Sequence, residues 1–243
     1  MVNRLIVNNV SAGYGAVRIL HGVSVSINEG EIVVLLGTNG NGKSTLMKCI
    51  MGMVQPDSGE IYLESDGKRI DLTDKPSEEI VNLGISLIPE GRRLFPGLTV
   101  RENLVAGAYR KDARKQLEEN LRFSYETFPI LEERKNQLAG TLSGGEQQML
   151  AVVRGLMSNP KILLVDEPSL GLEPIFVSHV IHKIKELKEQ FRLTVLMTEQ
   201  NFNKAIQIAD RGYIIVEGKI KFEGKNTKEL SEHELVKKFY LGV

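Results

Sequence analysis

The chain has 243 residues, of which 42% are hydrophobic and 26% charged, so it is long enough to bury a substantial core. Lys and Arg together number 31, as do Asp and Glu, and this zero net charge argues against a nucleic-acid-binding protein, which normally carries a basic excess. The single cysteine, Cys49, excludes an internal disulfide and fits a reducing cytosol.

Apolar stretches along the chain are short. The most apolar, such as Ile32 to Leu36 and Ile162 to Val165, have the length of strands, and none reaches the roughly 20 residues of a bilayer-spanning helix. The N-terminus, MVNRLIVNNV, lacks the long apolar run and small-residue cleavage site of a signal peptide. We therefore expect a protein that serves any membrane process by docking to other chains.

The N-terminal part of the chain predicts strands joined by glycine-rich turns. Strands are expected over Leu5 to Val10 and Val23 to Ile27, and the apolar run from Ile32 to Leu36 indicates a central strand buried on both faces. The segment GTNGNGKST follows, and a helix is expected from Lys43 to about Gly52. Strand, glycine loop and helix in this order are typical of a phosphate-binding unit.

The rest of the chain alternates between helical and strand patterns. Thr99 and Glu102 form a predicted capping box at the start of a charged helical stretch that extends to about Tyr125. A helix is also expected over Ile175 to Gln190, and one of its faces is apolar: Ile181, Ile184, Leu187 and Phe191. The remaining expected elements are a helix over Pro76 to Leu83, a helix after Ser143, and strands over Ile85 to Ile88, Ile162 to Val165, Leu193 to Met197, Tyr213 to Val216 and Lys219 to Phe222.

This alternation predicts an α/β fold in which a mostly parallel sheet is covered by helices. The sequence contains no repeats, low-complexity tracts or linkers, so we expect one domain over residues 1–243. Within that domain, a helical segment is expected to be inserted at roughly residues 95–158.

Residues 37–44, GTNGNGKS, match the pattern G-x-x-x-x-G-K-[ST]. The glycines permit a tight turn that directs backbone N–H groups inward, and the following helix points the positive end of its dipole at the same place. Lys43 is expected to reach the β- and γ-phosphates of a nucleotide, and the Ser44 hydroxyl to ligate Mg²⁺. The predicted phosphate-binding residues are Gly37, Thr38, Asn39, Gly40, Asn41, Gly42, Lys43, Ser44 and Thr45.

A second functional segment, KILLVDEP at residues 161–168, is an apolar strand that ends in two acids. Carboxylates at the C-terminal end of a buried strand emerge where open α/β sheets bind ligands. Asp166 is suited to hold Mg²⁺. Glu167 is expected to orient or deprotonate the water that attacks the γ-phosphate.

The segment TLSGGEQQ at residues 141–148 resembles the LSGGQ signature of ABC ATPases, and it lies just upstream of the acidic strand end, as in that family. Ser143 and Glu146 also form a predicted capping box, so a helix begins there with free backbone N–H groups. The two glycines let a phosphate approach that backbone closely. By these motifs the chain resembles the ABC ATPases along essentially its whole length.

The resemblance implies both a fold and an assembly. The fold is a P-loop NTPase with a RecA-like core, an antiparallel β subdomain and an inserted helical subdomain. Two head-to-tail protomers, identical or similar, would sandwich two ATP molecules, with the signature of one protomer contacting the γ-phosphate held by the other. The residues expected at that contact are Ser143, Gly144, Gly145 and Glu146.

Other positions match the family residue by residue. Tyr14 corresponds to the aromatic side chain that stacks on adenine. The loop from Ser169 to Leu172 corresponds to a segment that crosses the dimer interface, although Glu173 stands where an aspartate is usual.

Two positions depart from the family pattern. Glu90 occupies the place of the lid glutamine, where we expect it to join Ser44 and Asp166 as a Mg²⁺ ligand. Gln200 occupies the place of the switch histidine. Because glutamine can hydrogen-bond a phosphate oxygen but cannot carry a positive charge, Glu167 is the principal expected catalytic group, with Lys43 and Gln200 as its companions.

With these two departures, the chain resembles one of the ATPase subunits of branched-chain amino acid importers. The resemblance extends to the segment PEGRRLFPGLTVRENL and to the C-terminal residues from Phe239 to Gly242. The resemblance implies ATP and Mg²⁺ as cofactors, transmembrane permeases and a second ABC ATPase as partners, and a solute-binding protein as an indirect partner. It also implies a position on the cytoplasmic face of the cell membrane and no nucleic acid. Alternatives are an exporter ATPase of the lipopolysaccharide-transport type, a soluble ABC ATPase without membrane partners, and an ATP-gated scaffold that does not hydrolyse ATP.

Several other signals receive plain structural interpretations. His179, His182 and Glu186 share a helix face, which a solvated surface explains better than a metal site. Cys49 lies among apolar residues and is expected to be in the core. Arg92 and Arg93 lie in the lid segment that contacts the membrane subunits in this family.

Overall fold

A computed structural model describes residues 4–65, 67–171 and 174–236. The strands, in chain order, are β1 (Arg4–Tyr14), β2 (Val17–Ile27), β3 (Ile32–Leu36), β4 (Ser58–Ser65), β5 (Lys68–Asp71), β6 (Ile85–Ile88), β7 (Ile162–Asp166), β8 (Thr194–Glu199), β9 (Arg211–Val216) and β10 (Lys219–Gly224). The helices are α1 (Lys43–Ile50), α2 (Ser77–Asn82), α3 (Val100–Gly107), α4 (Lys111–Lys115), α5 (Leu117–Thr127), α6 (Pro129–Glu133), α7 (Gly144–Leu156), α8 (Pro174–Phe191), α9 (Phe202–Ala205), α10 (Thr227–Glu232) and α11 (Glu234–Val236).

The larger sheet contains six strands in the order β10-β9-β3-β8-β7-β6. β3 pairs in parallel with β8 and β9, and β7 pairs in parallel with β6 and β8, whereas β9 and β10 are antiparallel. The expected mostly parallel α/β sheet is therefore confirmed. Because these parallel strands end at the same edge, the segments that follow β3, β6, β7 and β8 meet there.

β3 lies at the centre of the core. Val33 and Leu35 pack into the hydrophobic cluster on one face of the sheet, and Val34 and Leu36 pack into the cluster on the other. All five residues of the strand are buried. The continuous apolar run in the sequence is thus explained by burial on both faces.

The smaller sheet is antiparallel, with strands in the order β2-β1-β4-β5. Sequence analysis located β1 and β2 but did not identify β4 and β5 individually. In β4, Ile61 and Leu63 are buried while their neighbours are half-buried or exposed, and β5 is mostly exposed. Polar residues interrupt both strands, so they lack the continuous apolar run by which the central strands were found.

The helical stretch after Thr99 is divided into α3, α4 and α5. Its first helix ends at Gly107, where a Cβ atom would clash with the backbone oxygen of Arg154 on α7. Both predicted capping boxes, at the starts of α3 and α7, are present. The caps therefore located these helix starts correctly from the sequence alone.

The apolar face predicted for α8 is buried along most of the helix. Ile181, Ile184 and Leu187 are buried, whereas Phe191 is 47% exposed. Phe191 is the last residue of the helix, and its ring packs edge-on against Phe123 with 4.7 Å between centroids. Helical periodicity continues past the end of the buried surface, which the sequence pattern does not reveal.

Cys49 is fully buried, as expected, and burial raises the pKa of its thiol to about 12. Within residues 4–65, 67–171 and 174–236, no group of three or more His, Cys, Asp and Glu side chains is arranged to hold a metal ion. None of the helices in these ranges combines the length and apolar character needed to cross a membrane.

Substitutions of two phenylalanines, one buried and one half-exposed, test the core packing. Phe128→Ala removes a side chain that is 2% exposed and should lower the free energy of unfolding by about 3–5 kcal/mol. Phe191→Ala removes the edge-on contact of a half-exposed ring with Phe123 and should lower the free energy of unfolding by about 1 kcal/mol. Urea denaturation measures both values, and equal losses would contradict the burial assigned to these rings.

Candidate functional site

The phosphate loop joins β3 to α1 at the C-terminal edge of the parallel strands. Gly42 has a φ angle of 93°, and a Cβ atom there would clash with the side chain of Leu20, so glycine is required. The Asn41 side chain tethers the loop, since its Nδ2 donates to Thr38 Oγ1 at 2.8 Å and its Oδ1 accepts from the backbone N–H of Glu217 at 2.7 Å. The loop is thus held in a defined shape by its own residues and by the β9–β10 turn.

Lys43 is the first residue of α1, and its ammonium group points back into the loop. Its Nζ donates to the carbonyl oxygens of Gly37 at 2.8 Å and Thr38 at 3.0 Å. A third contact, at 2.9 Å, is to Oε1 of Glu167. Because both charged side chains are 5% exposed or less, this ion pair is buried. Removing either partner of such a pair strongly destabilises the folded protein, because the other charge is left buried without compensation.

Glu167 follows β7 directly and is held from three sides. Its φ angle is 47°, which is unusual for a residue other than glycine, and its backbone N–H donates to Thr198 O at 3.2 Å and to Thr198 Oγ1 at 3.1 Å. Its Oε1 pairs with Lys43, and its Oε2 accepts from Gln200 Nε2. The structure therefore brings together the three residues that sequence analysis proposed as catalytic. Strained backbone of this kind is characteristic of functional sites.

Asp166 lies at the end of β7 beside the phosphate loop. Its Oδ1 accepts from Ser44 Oγ at 3.2 Å and from Thr198 Oγ1 at 2.6 Å. Burial raises the pKa of Asp166, an effect that these hydrogen bonds and the Lys43 charge partly offset. A hydroxyl oxygen and a carboxylate oxygen that converge in this way match the oxygen ligands preferred by Mg²⁺, so the residues fit such an ion.

β8 contributes two residues that sequence analysis did not single out. Thr198 bridges Asp166 and Glu167, as described above. Glu199 is fully buried, and its carboxylate accepts from the backbone N–H of Ser169 at 3.1 Å, from Ser169 Oγ at 2.8 Å and from the backbone N–H of Asn201 at 3.3 Å. Burial raises the pKa of Glu199, and these hydrogen bonds offset part of that effect. The signal was present in the sequence: two polar residues end an otherwise apolar buried strand.

The signature segment begins α7. Ser143 Oγ accepts from the backbone N–H of Glu146, and Glu146 Oε2 accepts from the backbone N–H of Ser143 at 2.8 Å. Ser143 is exposed, Gly144 is half-buried and Gly145 is buried. In the part of the chain that the structure describes, no hydrogen bond or ion pair joins these residues to the phosphate loop.

Arg92 connects the lid segment (residues 89–99, between β6 and α3) to two other segments. Its guanidinium donates to Gln147 Oε1 and to Gly171 O, each at 3.2 Å, and its own carbonyl accepts from Arg154 at 3.3 Å. Arg92 and Arg93 both have positive φ angles, 65° and 45°. The lid, the signature helix and the loop after β7 are therefore joined at one side chain.

Tyr14 and Glu90 lie at the periphery. Tyr14 is 47% exposed at the end of β1, and Lys48 of α1 approaches it, with Nζ 3.4 Å from the tyrosine hydroxyl and 5.6 Å from the ring centroid. An exposed ring beside the phosphate-loop helix is available for stacking. Glu90 is exposed in the loop after β6, and no described hydrogen bond joins it to Ser44 or Asp166.

A surface groove of about 230 Å³ runs between the lid segment, α3 and α7. Phe95 and Tyr109 in this groove are 50% and 45% exposed, and the guanidinium carbon of Arg154 lies 5.4 Å from the Phe95 ring centroid. Burial lowers the pKa of Arg154. The groove therefore combines exposed aromatic rings with guanidinium groups, the residue types enriched in protein–protein interfaces.

Six sequence-predicted positions lie outside the described residues. Ser169, Leu170 and Gly171 are described, whereas Leu172 and Glu173 lie outside the described residues, as does the segment from Phe239 to Gly242.

Comparison with known proteins gives a consistent picture. The family model described as "ABC transporter" matches residues 20–170. The chain is 44% identical over 97% of its length to the high-affinity branched-chain amino acid transport ATP-binding protein BraG of Pseudomonas aeruginosa, of which it covers 98%. It is 36% identical over 96% of its length to a probable LivF of Archaeoglobus fulgidus, covering 97% of that protein. It is 34% identical over 98% of its length to the lipopolysaccharide export ATP-binding protein LptB of Escherichia coli, covering 97% of that protein.

Solved structures resemble the chain along its whole length. A nucleotide-free ATP-binding cassette from an ABC transporter superposes with a TM-score of 0.83 at 27% identity, covering 99% of both chains. A dimeric bacterial ABC transporter cassette superposes with a TM-score of 0.77 at 27% identity, covering 91% of this chain and 98% of that one.

Replacing Thr198 tests the bridge between the two acids. Thr198→Val keeps the shape of the side chain but removes a hydrogen bond from buried Asp166, so the free energy of unfolding at pH 8 should fall by about 1–3 kcal/mol. Urea denaturation in EDTA measures this value. Thr194→Val is the matched control, since Thr194 is equally buried on the same strand but its hydroxyl accepts from the Gly30 backbone at 3.0 Å.

The deficit of Thr198→Val should also depend on pH. Because burial raises the pKa of Asp166 above 3.8, the folded state binds a proton more tightly than the unfolded state does. The ionised carboxylate therefore penalises the folded state above its folded pKa, and this penalty disappears as the pH falls through that value. The Thr198→Val deficit should shrink on acidification while the Thr194→Val deficit stays constant. Parallel pH profiles would show that Thr198 does not act on Asp166.

Proposed function

The chain belongs to the ABC transporter family and is an ATP-binding, ATP-hydrolysing subunit, and on this premise we propose that it drives an importer of branched-chain or related amino acids. The observation that carries the catalytic part of the proposal is the contact of Glu167 with both Lys43 and Gln200 at one edge of the sheet. The 44% identity to BraG carries the cargo assignment.

Lys43 and Glu167 have complementary tasks in this proposal. A triphosphate attracts the ammonium group of Lys43, which exchanges its contacts with Gly37 O, Thr38 O and Glu167 for phosphate oxygens. Glu167 is then free to accept a proton from the attacking water, while Gln200 fixes the orientation of its carboxylate. Catalysis of this kind is mainly positioning and electrostatic stabilisation.

The remaining residues of the site bind the nucleotide. The backbone N–H groups of residues 37–45 cradle the phosphates, and the Tyr14 ring supports the adenine by stacking. Ser44, Asp166 and Glu90 would hold Mg²⁺. When bound, the ion neutralises charge on the phosphate oxygens.

The working unit is a head-to-tail dimer with an identical or similar ATPase. Ser143, Gly144, Gly145 and Glu146 of one subunit approach the γ-phosphate that the other subunit binds. Support comes from the capped N-terminus of α7, which presents backbone N–H groups. A similar ABC cassette is described as dimeric.

Transmembrane permeases dock in the groove formed by the lid segment, α3 and α7. Phe95 and Tyr109 supply exposed apolar area, and Arg93 and Arg154 supply charge. The subunit thus lies on the cytoplasmic face of the cell membrane, and a solute-binding protein delivers the cargo on the opposite side. Arg92 links this groove to the signature helix by hydrogen bonds, which supports coupling between docking and ATP hydrolysis.

The principal rival is an exporter ATPase of the lipopolysaccharide-transport type. The chain is 34% identical to the lipopolysaccharide export protein LptB over nearly its whole length, and 44% identical to BraG. The importer assignment is therefore better supported. A soluble ABC ATPase without membrane partners would leave the exposed rings of the groove without a role.

Two substitutions test the catalytic roles. Lys43→Ala should abolish productive ATP binding, since the loop loses its phosphate-directed cation. Glu167→Gln should retain ATP binding and lower Mg²⁺-dependent turnover by about 10²–10⁴-fold. Glu118→Gln, on a side chain that is 84% exposed, is the control and should leave turnover unchanged. Phosphate release and binding of a fluorescent ATP analogue distinguish these cases, and normal turnover in Glu167→Gln would contradict its role as the base.

A second experiment tests the docking surface. The Arg93→Glu/Phe95→Ala double variant should bind at least about 10-fold more weakly to stripped cell-membrane vesicles of the source organism, since it alters both charge and apolar area in the groove. Arg122→Ala, on an exposed side chain of α5, should bind like the wild type. Co-sedimentation measures the binding. Retention of full binding by the groove variant would place the docking surface elsewhere.

A further inference from the structure

Glu146 places a negative charge in the first turn of α7. As the third residue of the helix it is favourable there, because a carboxylate interacts well with the helix N-terminus and completes the capping box with Ser143. The same turn is proposed to face the triphosphate bound by a partner subunit. An uncompensated carboxylate in this position would repel that triphosphate.

Arg134 lies directly against this carboxylate. Its Nε is 2.8 Å from Glu146 Oε1, while Glu146 Oε2 accepts from the backbone N–H of Ser143. Both oxygens of the carboxylate are therefore engaged within the subunit. The Glu146 side chain is 16% exposed and that of Arg134 is 42% exposed, so the pair is only partly open to solvent.

The guanidinium of Arg134 is fixed at its other end. Nη1 donates to Gln137 Oε1 at 2.9 Å, and Gln137 Nε2 donates to Thr141 Oγ1 at 2.9 Å. This chain of contacts leads into the signature segment and holds the cation beside Glu146. Burial would raise the pKa of Glu146, yet hydrogen bonds from Ser143 and the charge of Arg134 hold it below its usual value. The carboxylate therefore remains ionised and needs compensation.

Arg92 also lies close to this turn, beside Gly144. Its guanidinium donates to the neutral oxygens of Gln147 and Gly171 and makes no described contact with Glu146. The compensation of Glu146 therefore falls to Arg134.

We propose that Arg134 is a positioning residue for ATP hydrolysis, which neutralises Glu146 so that the first turn of the signature helix can accept the triphosphate held by a partner subunit. This inference rests on the proposed function, in which that turn contacts ATP across a dimer. In this proposal, the ion pair with Arg134 allows an acidic residue, Glu146, to occupy this position of the signature.

A charge-restoring double variant tests the proposal. Arg134→Ala should lower kcat/KM for ATP by about 10-fold because the free carboxylate repels the partner's nucleotide. Binding of a fluorescent ATP analogue to the phosphate loop should stay within about twofold, since that loop belongs to the same subunit and makes no contact with Arg134. Glu146→Gln, which alters the signature turn itself, supplies the reference kcat/KM for the double variant. Arg134→Ala/Glu146→Gln should recover to within about twofold of Glu146→Gln alone, because no charge is left to neutralise.

A purely structural role for Arg134 predicts the opposite result. The double variant would then be as impaired as Arg134→Ala, and Arg134→Lys, which keeps the charge but loses the fork of donors, would be impaired as well. Either result would overturn the proposal while leaving the ATPase function intact. Raising the ionic strength is an additional check, because screening should reduce the loss in kcat/KM caused by Arg134→Ala. A wild-type protein without Mg²⁺-dependent ATPase activity would instead contradict the proposed function itself.

Discussion

The buried ion pair between Lys43 and Glu167 is the interaction on which the rest of the site depends. Removing two charges from water is costly, so each needs further partners: two loop carbonyls for Lys43, and Gln200 for Glu167. In the proposed function, a triphosphate takes over the donors of Lys43 and leaves one oxygen of Glu167 without its cation. Nucleotide binding and the release of the base thereby become the same event.

The central strands hold this arrangement in place. β8 supplies Thr198, which bonds the carboxylate of Asp166 and the backbone N–H of Glu167, and Glu199, which holds Ser169 in the loop after β7. On the other side, Arg92 joins the lid to the signature helix and to Gly171, and its carbonyl is bonded by Arg154 from the docking groove. A continuous set of contacts thus connects the proposed permease surface with the segments proposed to surround the nucleotide.

The sequence predicted those features that depend on local chemistry. The burial of β3, the glycine loop and both capping boxes follow from residue type and spacing, and the structure has them where expected. Features that depend on tertiary context were missed or mistaken. β4 and β5 were not identified because most of their residues are half-buried or exposed. The exposure of Phe191 was not anticipated because periodicity does not show where an apolar helix face stops being covered. The bridging role of Thr198 and the pairing of Arg134 with Glu146 join distant or differently structured segments, which spacing alone does not bring together.

The most direct measurement is purification of the tagged subunit from its native membranes, with its partners identified by mass spectrometry. An importer ATPase should be recovered with two permeases, a second ABC ATPase or a second copy of itself, and a solute-binding protein that can be screened for amino acids. Recovery with the permeases and bridge components of lipid export would contradict the importer assignment. Recovery without any membrane protein would contradict a role in transport.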